Sequence, residues 1–187
     1  MASPPIHPFP KLPEFSESCG LQLASEPTAL GRARVPRRRV IPRESQAHVR
    51  RRAQYLCEYC HTAEQWQYVP FTVDHVLPLA QGGTNALDNL ALACFHCNRR
   101  KARRLTAIDP TTGEVVSLFN PRGHIWSDHF IWSADGLYII GLTPIRRATL
   151  AALELNRERV INIRAADVAV GRHPPSDDPR QTTTSTS

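Results

Sequence analysis

Two Cys-x-x-Cys pairs, Cys57/Cys60 and Cys94/Cys97, bracket the middle of the chain, and no other feature constrains its fold as much. Thiolates are soft ligands that favour tetrahedral zinc, and a two-residue spacer lets both sulfurs of a pair turn onto one ion. Two such pairs close the coordination sphere, so the spacing predicts a structural zinc and not a catalytic one. The segment so framed reads CEYCHTAEQWQYVPFTVDHVLPLAQGGTNALDNLALACFHCNRRK. Asp74-His75 lies between the pairs, with Asn89 and Asn98 further on. The zinc site needs none of them. His61, just past the first pair, is surplus as a ligand while four cysteines are at hand.

Local signals around the pairs predict a small mixed unit. Ser45 is a candidate N-cap, and Ala47, Val49, Ala53 and Leu56 supply an apolar stripe for a helix running into Cys57. Residues 68–80 read as a strand with Pro70 at its start or edge and Asp74-His75 at its far end. Gln81-Gly82-Gly83-Thr84-Asn85 is a turn, and Leu90-Ala91-Leu92-Ala93 is a short apolar strand ending at Cys94. Cys97-Asn98 then opens a helix to about Leu105. Two strands and a helix are too small to hold together by apolar burial alone, which explains the metal.

The string DHVLPLAQGGTNALDNLALACFHCNRRK resembles the HNH endonuclease family, and the likeness extends over roughly residues 47–104. The family letters fall on His75, Asn89 and Asn98. The resemblance implies an α+β fold: a zinc-stabilised ββα-metal core, with an omega-type loop after the first strand. It implies that His75 is a general base whose ring is held in one tautomer by a backbone carbonyl. It also implies that Asp74 and the side-chain carbonyl of Asn98 bind one Mg²⁺ or Mn²⁺, and that Asn89 pins the loop between the strands. The implied activity is metal-dependent cleavage of DNA, leaving 5′-phosphate and 3′-hydroxyl ends. These residue types suit that chemistry. Histidine accepts a proton near neutral pH, and a hard divalent cation prefers oxygen ligands. The alternative is a non-catalytic zinc-ribbon module that binds nucleic acid, against which the intact Asp74, His75 and Asn98 set argues. A purely structural interaction protein leaves both that set and the arginines unexplained.

Charge points the same way. The chain of 187 residues carries a formal net charge of +6 and a pI near 9.4, which fits a polyanionic partner. Arg50, Arg51 and Arg52 on the first helix, and Arg99, Arg100, Lys101, Arg103 and Arg104 on the closing one, are the expected phosphate contacts. His96, inside the second cysteine pair, is expected at the surface. Arg32, Arg34, Arg37, Arg38, Arg39 and Arg43 form either a solvated arm or one that tracks phosphate. Of five cysteines, Cys19 is left over as a spectator, and the count favours a reducing compartment and a metal over disulfides. With no apolar run of membrane length and no signal-type N-terminus, the expectation is a soluble, cytoplasmic protein.

The expected organisation is a disordered arm (1–42), a nuclease core (43–107), an α+β extension packed on it (108–170) and a disordered tail (171–187). In the extension, Asp109 to Gly113 is a turn followed by a strand from Glu114 to Phe119. Asp135-Gly136 between apolar runs predicts a hairpin, and Thr143-Pro144 a helix start. Residues 157–168 fit helix or strand. Asp128-His129 is either a second catalytic pair or, preferably, a satisfied histidine beside the hairpin.

Overall fold

In a computed structural model, residues 40–175 are described; the elements are α1 (Arg43–Arg52), β1 (Thr72–His75), β2 (Leu90–Ala93), α2 (Phe95–Lys101), β3 (Thr106–Ile108), β4 (Val115–Ser117), α3 (Trp126–His129), β5 (Ile131–Trp132), β6 (Ile139–Ile140), α4 (Pro144–Leu153) and α5 (Glu158–Ala169). Expectations for the arm up to Arg39, including Cys19, and for the tail from Ser176 lie outside the described residues.

The expected ββα unit is present. β1 and β2 pair antiparallel, with Asp74 opposite Ala91 and His75 opposite Leu90, and α2 follows at once. Leu90, Ala91, Leu92 and Ala93 have no exposed surface, so β2 is covered on both faces, which is why its sequence does not alternate.

Both helix boundaries differ from the expectation. α1 starts at Arg43, because extended Pro42 ends the preceding chain and its carbonyl accepts the first helical bond from the Gln46 amide. It stops at Arg52 and never reaches Cys57. Gln54 and Tyr55 take left-handed backbone angles (φ 51° and 58°), which turn the chain out of the helix. Leu56 then bridges to Ala63 and closes the first cysteine knuckle. α2 begins at Phe95, with the Cys94 Sγ accepting from the Cys97 amide at 3.4 Å. The second Cys-x-x-Cys is therefore the first turn of the helix, not its approach.

The rest of the described chain adds two hairpins and two helices. β3 pairs with β4 around the Asp109 to Gly113 turn, and β5 with β6 around Asp135-Gly136. α4 starts at Pro144, with Thr143 at the cap position, although the threonine hydroxyl makes no capping bond. The ambiguous stretch 157–168 resolves as helix, α5 running Glu158–Ala169 with Arg157 at its cap. Gly171 to Pro175, expected in the tail, fold back; the His173 ring meets the Gly136 carbonyl at 3.0 Å and Pro175 is buried.

One apolar core serves the whole described chain. Val49, Tyr59, Leu90 and Leu92 cluster with Phe119, Phe130, Ile139 and Leu153 from the later elements. The Trp126 indole N–H donates to the Tyr59 carbonyl at 3.1 Å, and Arg122 forms an ion pair with Glu58. Each fully buried Leu, Ile or Phe contributes about 1.5–3 kcal/mol, so residues 115–155 supply burial that the ββα unit lacks. Among the described residues no helix is long and apolar enough to cross a membrane.

Asp109 anchors the β3–β4 turn to α4. Its carboxylate accepts from Arg147 at 2.8 and 2.6 Å and from the Thr111 amide and Thr112 hydroxyl. The Arg147 guanidinium, first of all, holds this carboxyl well below the usual carboxylate range. A depressed folded-state pKa gives stability that is present above the unfolded value, about 3.9, and lost as pH falls through the folded one. Asp109→Asn should therefore lower the melting temperature at neutral pH, with the deficit shrinking as pH drops below that range. A deficit of constant size across that pH range, measured by thermal unfolding, would rule the ion pair out as its source.

Candidate functional site

The four cysteines converge as the spacing requires. Their sulfurs lie within 4.8 Å of one another, and Cys60 Sγ is 3.8 Å from Cys94 Sγ. A tetrahedron with Zn–S bonds of about 2.3 Å has edges of about 3.8 Å, so the cluster fits such an ion. Titration across the four thiols is uneven. Burial pushes the Cys57 thiol up, hydrogen bonding with Cys57 and its other neighbours pushes Cys97 up, and the same bonding pulls Cys60 down. A central cation would replace the shared protons and remove that conflict. His61 is not among the four; its ring stacks on Trp126 at 4.0 Å.

Asp74, His75 and Asn98 line one cleft of about 660 Å³, together with Val40, Ile41, Thr72 and Arg103. Neighbouring strand residues point to opposite sides. Asp74 accordingly turns inward, where its Oδ2 accepts from the Tyr59 hydroxyl at 2.8 Å and meets Lys101 Nζ at 3.0 Å. Burial raises its pKa above the usual carboxylate range, against the pull of Lys101 and Tyr59. Oδ1 has no hydrogen-bond partner among the described residues.

His75 turns the other way, with Nε2 2.8 Å from Asn85 Oδ1. The expected backbone carbonyl is replaced by a side-chain one. Asn98 is oriented by a short relay. The Thr72 hydroxyl donates to the Ala93 carbonyl at 3.4 Å and so accepts from Asn98 Nδ2, at 2.7 Å. That fixes the amide and leaves Asn98 Oδ1 unbonded among the described residues. A carboxylate oxygen and an amide oxygen in one cleft are the donors a hard divalent cation takes.

Asn89 sits behind the cleft. Its Nδ2 donates to the carbonyls of Leu77 and Thr84, each at 2.9 Å, and its Oδ1 accepts from the Leu77 amide at 2.8 Å. Both ends of the loop between the strands are thus tied to one side chain.

Most of the arginines sit elsewhere than expected. Arg50 donates to the Phe71 carbonyl at 2.6 Å and pairs with Glu64. Arg52 donates to the carbonyls of Leu87 and Leu90 and pairs with Glu58. Arg100 pairs with Glu154, and Arg104 reaches the Ala152 carbonyl at 3.3 Å. Lys101, expected on a phosphate, is 2% exposed and also donates to the His75 carbonyl at 2.9 Å. Carbonyls and carboxylates of the chain itself, several of them at the surface, have taken these donors. Arg51, Arg99 and Arg103 remain exposed with no side-chain partner among the described residues.

His96, expected at the surface, is half-buried with its Nε2 2.7 Å from the Leu153 carbonyl. His129 packs against His124 and Phe119, and its buried Nδ1 lacks a partner among the described residues. It is therefore not the satisfied histidine expected, nor does a hydrogen bond join it to Asp128. Sequence reasoning missed Tyr59, Thr72 and Asn85. Thr72 carried a usable signal, since it lies two residues before Asp74 on one strand; Tyr59 and Asn85 carried none beyond a knuckle and a turn.

The site thus combines a ββα unit, a tetrathiol cluster behind it and a histidine ending the first strand. Residues 57–104 match the family model for HNH endonuclease, the same segment that carries the resemblance. No curated protein matches the chain.

The Lys101–Asp74 pair makes a stability claim. Lys101→Met strands a buried carboxylate, and breaking a buried pair from one side costs about 3–5 kcal/mol. Chemical denaturation should show a loss of that order, with part of it recovered in Lys101→Met/Asp74→Leu. A wild-type midpoint for the single variant would mean that Lys101 contributes no such pairing.

Proposed function

We propose that this chain is a metal-dependent endonuclease acting on DNA, with His75 as general base and one divalent cation held by Asp74 and Asn98. The observation that carries the reading is the shared cleft: Asp74, His75 and Asn98 line it together, and Asp74 Oδ1 and Asn98 Oδ1 have no hydrogen-bond partner among the described residues. The Nδ1 of His75 accepts the proton of the attacking water, and Asn89 keeps the adjoining loop in place. Asp74 Oδ1 and Asn98 Oδ1 would hold Mg²⁺ or Mn²⁺, which would supply charge neutralisation at the phosphoryl group and at the departing oxygen. Arg51, Arg99 and Arg103 supply phosphate contacts. In this reading residues 43–107 are the nuclease core and residues 108–170 an extension that buttresses it. The four thiolates hold a structural zinc, which suits a reducing compartment such as the cytoplasm.

One observation favours the binding-only alternative. Asp74 already spends one oxygen on Tyr59 and Lys101, and the lysine charge opposes a second cation nearby. Plasmid nicking with and without Mg²⁺ separates the two. Cleavage should require the metal, and His75→Ala should slow it by about 10²–10⁴-fold while leaving the Mg²⁺ midpoint in place. Asp74→Ala and Asn98→Ala should raise that midpoint, the aspartate more because it also removes charge. Metal-dependent nicking that survives His75→Ala at full rate would remove the histidine from the chemistry, and DNA binding with no nicking at all would favour the alternative.

For the zinc, elemental analysis of the purified protein should find one ion per chain. Cys94→Ser should lower the melting temperature and release it, because metal binding and folding of so small a core are coupled. A metal-free native protein would remove the structural-zinc assignment.

A further inference from the structure

We infer that Asn85 is a positioning residue for His75: its side-chain amide holds the imidazole as the Nε2–H tautomer and turns Nδ1 toward the cleft. The catalytic consequence rests on the nuclease reading above; the positioning itself does not. Asn85 entered the sequence only as part of a turn. In the fold it stands between two fixed points. Its Oδ1 is 2.8 Å from His75 Nε2, and its Nδ2 donates to the Val40 carbonyl at 3.3 Å. A backbone carbonyl can only accept, so the amide nitrogen must face Val40 and the oxygen must face the histidine. An amide oxygen in turn can only accept, so the nitrogen it faces carries the proton. Nδ1, the other ring nitrogen, is left with its lone pair.

Asn85 is itself held from behind. Asn89 grips the Thr84 carbonyl, one residue before it, and the Thr84 hydroxyl accepts from the Ala86 amide at 3.2 Å, one residue after. The loop also needs Gly83, where a Cβ would lie 1.8 Å from the Leu77 carbonyl oxygen. The chain thus runs from Asn89 through the loop to Asn85 and from there to the ring. Val40 lines the same cleft and lies directly after the arginine-rich stretch, so the first described residues of the chain complete the support of the histidine.

A purely structural turn residue would not govern the ring proton, and that proton is measurable. The probe is ¹⁵N-labelled protein, observed by imidazole ¹H–¹⁵N NMR at a pH where the ring is neutral. Wild type should give a slowly exchanging proton bonded to His75 Nε2. Asn85→Leu, which keeps the shape and removes the acceptor, should lose that signal to exchange with water while the backbone spectrum stays folded. Asn85→Asp, which keeps an acceptor oxygen, should retain it. In nicking assays Asn85→Leu should lower kcat about tenfold or more with KM within about twofold, and Asn85→Asp should recover most of the loss. A protected proton on Nδ1, or an Nε2 proton unchanged in Asn85→Leu, overturns the inference. If the spectra behave as expected but the protein cleaves no DNA, the positioning stands and the nuclease reading alone fails.

Discussion

A buried ammonium is tolerated only when other groups take over the work of water, and Lys101 is arranged accordingly. Its Nζ lies 3.0 Å from Asp74 Oδ2 and 2.9 Å from the His75 carbonyl, and Tyr59 donates to the same carboxylate oxygen. One lysine therefore joins the last turn of α2 to the final two residues of β1, and Tyr59 adds the first cysteine knuckle to the same point. Every group proposed for chemistry hangs from this junction. Asp74 is part of it, His75 is bonded to it through its backbone, and Asn98 lies one helical turn before Lys101 on α2. Separating Lys101 from Asp74 would strand a buried charge, so the ion pair holds the end of β1 against α2 beside the cleft.

The tetrathiol cluster does a different job in a different place. It gathers the Cys57 knuckle, the end of β2 and the first turn of α2, the three segments whose relative placement sets the junction. A core with a two-stranded sheet and a seven-residue helix has too little apolar area to fix that placement by burial. The later elements help, through Trp126 on the Tyr59 carbonyl and Leu153 on His96. The cysteine cluster and the extension thus sit behind the ββα unit, away from the cleft that holds His75.

How much of this was legible in the sequence depends on the range of the interaction. The cysteine cluster was, because a two-residue spacer acts within one knuckle and leaves little freedom. So were the two strands, the Asp135-Gly136 hairpin and the α4 start, each marked by neighbours in sequence. The helix ends were not. α1 ends at Arg52 because Gln54 and Tyr55 beyond it adopt left-handed angles that neither residue type announces, and α2 starts early because a cysteine sulfur serves as its cap. Lys101 misled for a related reason. Its partners lie 26 and 27 residues away, and a lysine on a basic helix looks the same whether it meets solvent or a buried carboxylate. Asn85 was hidden in a turn for which asparagine needs no further explanation.

The arginines show how such distant partners change the meaning of a net charge. A guanidinium offers five donors in a rigid fork, so it can bridge several carbonyls where a lysine offers a single point. Loop-rich folds leave many carbonyls without helix or sheet partners, and these must be met. Arg52 meets those of Leu87 and Leu90, and Arg50 that of Phe71. Arg164, with 3% of its surface exposed, meets Leu137 and Leu155 and lies over the Trp132 ring. Much of the positive charge is therefore structural, and the +6 balance alone is a weak argument for a nucleic-acid surface. The stronger argument is local. Arg103, exposed and without an internal side-chain partner among the described residues, lines the cleft that holds His75 and Asn98. In the proposed reading a phosphate entering that cleft meets one uncommitted guanidinium, Arg51 and Arg99 stay exposed for further contacts, and Arg50 and Lys101 act by holding Phe71, Asp74 and His75 in place.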